Sequence, residues 1–286
     1  MAAVTGTLLL AGCTGGADEA ADPPETSARP TADASTGSPA PSASPADEPY
    51  TVAEDRAPRT RAEAVAFVRG LAVRPDYFGV GFGKREPYES DPAEWAVLGE
   101  DCLWRRESLP DGVLASLTRG FVLPEADGKG PVQVSLTVTV HDDTLAARRD
   151  MAGSLEDALR CPEQRLNATV RVSGLYSRAD PFSEQRNAIT DDDLTESGTY
   201  VVDGEKGAHP FDWFKYRLGP VTVAATARTG AGRTKEEQTA VSSDVAKGVG
   251  FVAADIDRQA AAEEPAGKSG DSTPGTGTAG GTETAR

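Results

Sequence analysis

One uninterrupted alternation of apolar and polar residues constrains the fold of this chain more than any other feature. Between Pro131 and His141, aliphatic side chains occupy every second position, at Val132, Val134, Leu136, Val138 and Val140. Period-two alternation places these side chains on one face of a β-strand and the intervening polar side chains on the other. The β-branched Val and Thr residues favour a pleated, half-buried surface. The segment therefore predicts a central strand with one face toward a hydrophobic core.

A helix is predicted directly after this strand. Asp142 and Asp143 provide N-cap side chains, and residues 144–160 have helical spacing. The apolar residues that share one side of this helix are Ala152, Leu155 and Leu159. Cys161 follows its last residue. We expect the strand, the helix and Cys161 to form the centre of one domain.

Further elements predict an antiparallel sheet with helices packed on it. Residues 60–63 form a capping box that begins a short helix, and a second capping box begins a closing helix at residues 234–256. Strands at residues 102–107, 113–123 and 131–141 are joined by short turns and predict a meander. Further strands are predicted at residues 168–172, 198–204, 211–218 and 221–228. The fold class is therefore α+β, a twisted antiparallel sheet of about six to seven strands packed by two or three helices.

Composition divides the chain into one globular region and two polar ends. Gly, Pro, Ala, Ser, Thr and acidic residues dominate the two ends, whereas residues 58–258 have the composition of one globular domain. We expect a signal peptide at residues 1–12, a lipidated Cys and disordered tether at 13–57, and a disordered tail at 259–286. The net charge of −16 disfavours binding to nucleic acid or anionic lipid headgroups. No residue pattern indicates a cofactor.

The first cysteine lies in a motif that resembles the lipobox of bacterial lipoproteins. Leu10-Ala11-Gly12-Cys13 follows a short apolar run. The resemblance implies cleavage before Cys13 and transfer of diacylglycerol to its thiol, with palmitate on the mature protein. Residues 1–12 contain no Lys or Arg, so we expect the natural start to lie upstream. The expected location is the cell membrane, lipid-anchored on the extracytoplasmic face. The alternative is a chance Cys in a cytosolic protein.

The order of the predicted elements resembles the PknH-like extracellular domain. This family comprises sensor domains of actinobacterial Ser/Thr kinases and free-standing lipoproteins. The resemblance covers residues 60–258 and rests on Cys102, Cys161, the strand Val132–Val140 and the closing helix Thr234–Ile256. It implies an α+β fold with a cleft for an unidentified ligand. The chain has no kinase domain, so signalling would require a membrane signalling protein as partner.

The resemblance also implies a disulfide between Cys102 and Cys161. These are the two cysteines that remain after lipidation of Cys13, and an exported protein meets oxidising conditions. Kinase sensors of the family usually have two disulfides, whereas this chain has cysteines for one.

An aromatic strand at residues 211–218 is the best candidate for a binding surface. Alternation places Phe211 and Trp213 on one face, and Phe214 and Tyr216 on the other. If one face serves the core and the other lines a groove, the groove would bind an apolar ligand. The candidate ligand-binding residues are Tyr77, Phe78, Phe82, Trp213, Phe214 and Tyr216. The alternative is that helices cover both faces and the aromatic residues are structural.

Catalytic and metal-binding patterns are weak. The chain has no Gly-x-Ser-x-Gly motif, and its only histidines are His141 and His209. His141 with Asp142–Asp143 could join Asp191–Asp193 around a metal ion, but helix capping by Asp142 or Asp143 and a solvated acidic run explain these residues better, so we expect no metal site. We therefore expect a non-enzymatic ligand-binding or sensor-like module for a small apolar or envelope-derived ligand. Alternatives are a cell-surface hydrolase that uses His209, or a scaffold that binds an envelope protein through the aromatic strand.

We predict that Cys13 is the site of lipid attachment. Metabolic labelling with a palmitate analogue should mark the wild-type protein and leave Cys13→Ser unlabelled, because acyl transfer needs the Cys13 thiol. Equal labelling of the two proteins would contradict the lipoprotein interpretation.

Overall fold

The computed structural model describes residues 49–177 and 189–262, which form three α-helices and two antiparallel sheets. The helices are α1 (Arg61–Gly70), α2 (Thr144–Arg160) and α3 (Lys235–Ala262). The strands are β1 (Gly83–Glu89), β2 (Glu94–Leu98), β3 (Trp104–Ser108), β4 (Val113–Leu123), β5 (Val132–His141), β6 (Glu163–Arg165), β7 (Val170–Ser177), β8 (Asp192–Val202), β9 (His209–Leu218) and β10 (Val221–Thr229). A short 3-10 helix spans Pro75–Phe78. The predicted α+β fold class is confirmed.

The larger sheet has the spatial order β1-β4-β5-β10-β9-β8-β7-β6, and β2 pairs with β3 in a separate hairpin. On β5, Val138 lies opposite Leu117 of β4 and Val223 of β10, so aliphatic residues align across three strands. The turn from β9 to β10 requires glycine at Gly219. Its φ is +53°, and a Cβ there would overlap the carbonyl oxygen of Val52.

The alternation of β5 produces the hydrophobic core. All five of its aliphatic side chains are at most 2% exposed. They pack with Phe67 and Val68 of α1 and with Val249 and Ile256 of α3. Full burial of one such side chain contributes about 1.5–3 kcal/mol. This face of the sheet, called here the core face, is therefore the main source of stability.

Both predicted capping boxes are present. Thr60 and Glu63 exchange hydrogen bonds at the start of α1, and Thr234 and Glu237 do so before α3. Among the described residues, no helix is both long and apolar enough to cross a membrane.

The packed chain extends past the predicted domain limits at both ends. Val52 is buried in the core, and α3 continues to Ala262. Cys13, the predicted signal peptide at 1–12, most of the predicted tether and residues 263–286 lie outside the described residues.

The predicted three-stranded meander is wrong in its first strand. β3 does not join the larger sheet but pairs with β2, and β1 takes the place beside β4. The physical reason is that the Cys102–Cys161 disulfide and the hydrogen bond from Trp104 Nε1 to Gln164 Oε1 hold the start of β3 beside the C-terminal end of α2. Composition did not distinguish the two strands, because β1, like β3, is polar and mostly exposed.

Helix α2 directs the side that carries Leu155 and Leu159 toward solvent. Leu155 and Leu159 are 42% and 83% exposed, whereas Ala147, Met151 and Ser154 are buried. The reason is that α2 lies over the polar face of the sheet, where its own polar side chains find partners. This second face is called here the polar face.

The structure contains the disulfide between Cys102 and Cys161, with Cα atoms 5.6 Å apart. Cys102 lies in the loop between β2 and β3, and Cys161 is the C-cap residue of α2. Arg160 reinforces this junction by donating hydrogen bonds to the carbonyl oxygens of Leu98 and Gly99. The end of α2 is thus attached to the hairpin of β2 and β3.

We expect removal of this disulfide to destabilise the domain. The bridge spans a sequence separation of 59 residues, for which chain entropy gives an upper value of about 4 kcal/mol. Cys102→Ser or Cys161→Ser should lower the melting temperature by about 10 °C. The double variant should melt close to either single variant, and peptide mapping without reduction should recover the linked peptides. Free thiols in the oxidised, exported protein would contradict the bridge.

Candidate functional site

A cleft of about 920 Å³ lies between the polar face of the sheet, helix α2 and the hairpin of β2 and β3. This volume falls within the usual range of small-molecule sites. The alternation that builds the core also builds its floor, because the polar residues of β4, β5 and β10 point to the opposite side. The floor residues are Ser116, Thr118, Ser135, Thr137, Thr139, Thr222 and Thr226.

The floor carries a ladder of hydroxyl groups. The Ser116 and Thr139 hydroxyls are 2.9 Å apart, and those of Thr118 and Thr137 are 2.8 Å apart. Each hydroxyl offers one donor and two acceptor positions, so a single partner does not satisfy it. The floor can therefore form hydrogen bonds with a polar ligand while it remains a regular sheet.

All three tryptophans of the chain line this cleft. Trp95 and Trp104 belong to the hairpin, and Trp213 belongs to β9. All three side chains are half-buried, and Trp104 packs edge-to-face against Trp213 with ring centroids 5.9 Å apart. The cleft thus has aromatic surface on two of its walls.

Gln164 carries a buried donor without a partner at the wall of the cleft. Its side chain is 2% exposed, and its Oε1 accepts a hydrogen bond from Trp104 Nε1 at 2.9 Å. Its Nε2 has no hydrogen-bond partner among the described residues. A buried unpaired donor costs about 1–3 kcal/mol, so such a group calls for a water or ligand acceptor.

A buried charge cluster holds α2 to the polar face. Asp150 accepts hydrogen bonds from Lys215 Nζ at 2.7 Å and from Thr222 Oγ1 at 3.0 Å, and His141 Nε2 lies 3.3 Å away. Lys215 also donates to Ser154 Oγ at 2.9 Å. Burial by itself raises the pKa of Asp150, but Lys215 and His141 outweigh this and hold the pKa well below its ordinary value.

The remaining charges of the cleft are of both signs. Arg106 donates to Thr118 Oγ1 at 2.6 Å, and burial lowers its pKa. Arg149 is exposed and has no partner in the part of the chain that the structure describes. Asp111, Asp142, Asp143 and Glu156 line the same cleft. With the paired groups included, the lining has six carboxylates and four Lys or Arg side chains, so its charge is mixed with a small acidic excess.

The structure does not bring the six candidate ligand-binding residues together. Trp213 lines the cleft, whereas the other five pack on the core face; these are Tyr77, Phe78, Phe82, Phe214 and Tyr216. Phe78 and Phe214 are 1% and 3% exposed, and burial raises the pKa of Tyr216 to about 12. The predicted split of the β9 side chains between two faces is present, but the apolar groove is filled by α1 and α3.

Several cleft residues carried no functional signal in the sequence. Trp95 and Trp104 lie in five-residue strands and Gln164 lies in a three-residue strand, and segments this short show no clear periodicity. The floor hydroxyls did have a signal, namely the polar half of the β5 alternation. That half is normally interpreted as a solvent-facing surface.

The histidines and the acidic run have structural partners. His209 is buried beside the Tyr200 ring, with centroids 5.4 Å apart, and does not line the cleft. His141 contacts both Thr222 and Asp150 through Nε2. A histidine in a catalytic proton relay uses both ring nitrogens. Asp191 and Asp192 pair with Arg217. Within the described ranges, no group of three His, Cys, Asp or Glu residues is arranged for a metal ion.

No protein-family model matches this sequence, and no curated protein matches it. Among solved structures, the chain is similar to the extracellular domain of PknH from Mycobacterium tuberculosis, with 15% identity, a TM-score of 0.41, and coverage of 74% of this chain and 98% of that chain. It is also similar to an uncharacterized protein from Mycobacterium smegmatis, with 14% identity, a TM-score of 0.32, and coverage of 69% and 100%. These values are too low to transfer a function.

We expect Asp150→Asn to destabilise the fold by about 3–5 kcal/mol, because the Lys215 ammonium would stay buried without its counter-charge. Urea unfolding would measure the change. Asp157→Asn is a matched control on the same helix, because the side chain of its partner Arg160 is 42% exposed and can be solvated without it, and should cost about 0–1 kcal/mol. The double variant Asp150→Asn/Lys215→Met should recover part of the loss. A double variant less stable than Asp150→Asn alone would contradict the coupling.

The same pair predicts a pH dependence. Because the folded-state pKa of Asp150 is lowered, its contribution is complete above the unfolded carboxyl pKa of about 3.9 and is lost as pH falls toward the folded value. The stability difference between wild type and Asp150→Asn should therefore narrow below about pH 4. A difference that stays constant from neutral to acidic pH would contradict this assignment.

Proposed function

We propose that this protein is a lipid-anchored, extracytoplasmic, non-enzymatic ligand-binding module, and that its binding site is the cleft between α2, the hairpin and the polar face. The observation that carries the proposal is the composition of this cleft. Half-buried Trp95, Trp104 and Trp213 line it, and the Gln164 amide at its wall has an unpaired donor. Indole side chains are normally buried more fully unless they serve an interface.

Two features support an extracytoplasmic location. The Leu10–Cys13 motif resembles a lipobox and precedes a long polar segment without large apolar residues. The disulfide between Cys102 and Cys161 is typical of proteins that fold in an oxidising compartment. An acyl anchor on Cys13 would hold the domain at the outer surface of the membrane, with the polar segment as a spacer.

The arrangement of the cleft suits a sensor-like role. One wall is the rigid sheet that carries Trp213, and the other is the hairpin that carries Trp95 and Trp104. A ligand that contacts both walls would restrict the hairpin, and the Cys102–Cys161 bridge would transmit this restriction to α2. A membrane signalling protein could then distinguish the occupied from the empty state.

Neither alternative function has comparable support. A hydrolase that uses His209 would need this side chain at a substrate site, yet it is buried beside Tyr200 and away from the cleft. A scaffold that binds through the aromatic strand would need a free surface on β9. This strand lies between β8 and β10, and Phe214 is buried on one face of it. On the other face Lys215 is buried under α2 and Trp213 lies within the cleft, so the strand offers no flat surface to a protein partner.

Indole NMR can test ligand binding directly, because every tryptophan of the chain lines the cleft. The full chain with Cys13→Ser, labelled with ¹⁵N-tryptophan, would be titrated with the lipid and water-soluble polar fractions of a cell-envelope extract from the producing bacterium. We expect one fraction to shift or broaden the indole resonances. The same fraction should leave the Trp resonances of urea-unfolded protein unchanged. Indole resonances that respond to neither fraction would refute the proposal.

A further inference from the structure

We propose that the ligand of the cleft is a carbohydrate, bound with a sugar ring against Trp213 and Trp95 and with its hydroxyls toward the Ser/Thr floor. This inference rests on the proposed function and adds the chemical class of the ligand. Its basis is the combination of aromatic walls with a floor of hydroxyls, which no single element of the fold provides.

The aromatic walls of the cleft suit the apolar faces of a sugar ring. A pyranose or furanose ring presents C–H groups on its faces, and these pack against the flat apolar surface of an indole. Trp213 and Trp95 offer such surfaces from the sheet and from the hairpin, and both are half-buried within the cleft. Indole is rigid, so little conformational freedom is lost when it contacts a ligand.

The floor of the cleft suits the hydroxyl groups of a sugar. Sugar hydroxyls donate and accept hydrogen bonds, and so do the hydroxyls of Thr118, Thr137 and Thr139, each of which has unused capacity. The Gln164 amide adds a donor at the wall beside Trp104. The exposed Arg149 guanidinium at the rim adds further donors. Donors and acceptors thus surround the position of a stacked ring.

Two other ligand classes fit the cleft less well. Val97, Leu98 and Leu166 give the cleft some aliphatic surface, but an acyl chain bound here would also cover the hydroxyls of the floor and remove them from water. A phosphate-rich anion requires an excess of positive charge. Arg149 has no partner among the described residues, but Lys215 is neutralised by Asp150 and Arg160 pairs with Asp157. Asp111, Asp142 and Asp143 add negative charge to the same lining. Carbohydrate is the class that uses both kinds of surface.

The test begins with a printed array of bacterial and synthetic glycans, probed with the full chain carrying Cys13→Ser. A soluble oligosaccharide that corresponds to a retained glycan would then be titrated by calorimetry. We expect Trp213→Ala and Trp95→Ala each to weaken its affinity by about tenfold through loss of the stacked surface. Trp95 lies on the hairpin, away from the core, so Trp95→Ala remains informative if Trp213→Ala does not fold.

Two further variants separate the classes of ligand. Thr137→Val keeps the side-chain shape but removes a floor hydroxyl, so it should weaken carbohydrate binding several-fold, whereas an acyl chain would bind equally or more tightly. Phe251→Ala is the matched control, because this aromatic side chain is exposed on α3 and does not line the cleft. It should leave the affinity unchanged.

The outcomes distinguish this inference from the function on which it rests. Retention of a glycan whose affinity falls in the two Trp variants and in Thr137→Val supports carbohydrate binding. Failure to retain any glycan, or an affinity unchanged in the Trp variants, overturns it. If the lipid fraction of the envelope still shifts the indole resonances in that case, the cleft binds a ligand of another class. If neither fraction shifts them, ligand binding itself is refuted.

Discussion

The arrangement of the whole domain depends on the difference between the two faces of the larger sheet. The core face must be shielded from water, whereas the polar face carries hydrogen-bonding side chains. The aliphatic side of β5 needs complete coverage, and α1 and α3 provide it. The opposite side carries Ser and Thr hydroxyls, which an apolar helix face would desolvate. Helix α2 therefore covers this side with Asp150 and Ser154 turned inward, and its leucines are left in solvent.

The cleft depends on how α2 is held over the polar face. Near its middle, Asp150 meets Lys215 and Thr222 of the sheet, and at its end Cys161 is linked to Cys102. These attachments are directional, unlike a continuous apolar contact, and they leave room between helix and sheet. A cleft that is already formed avoids part of the ordering cost of binding, and this favours a recognition role.

The candidate site shows what local sequence patterns predict about side-chain positions and what they do not. Alternation along β9 correctly predicted that Trp213 and Phe214 point to opposite faces. It did not predict which face is filled, so the candidate set combined Trp213 with residues such as Phe78 that lie in the core. The missing information was the position of α3, whose packing against the 3-10 helix closes the core face. That contact joins segments far apart in the sequence.

The sequence by itself determined the central strand, both capping boxes, the α+β class and the face to which each β9 side chain points, because these follow from local periodicity and capping chemistry. It also limited the disulfide to one pair once Cys13 is set aside. Only the tertiary structure decided that β3 leaves the sheet, that α2 presents its polar side inward, and that Trp95, Trp104 and Trp213 line one cleft. The reason is that these features depend on which distant surfaces complement one another, and no local pattern records that choice.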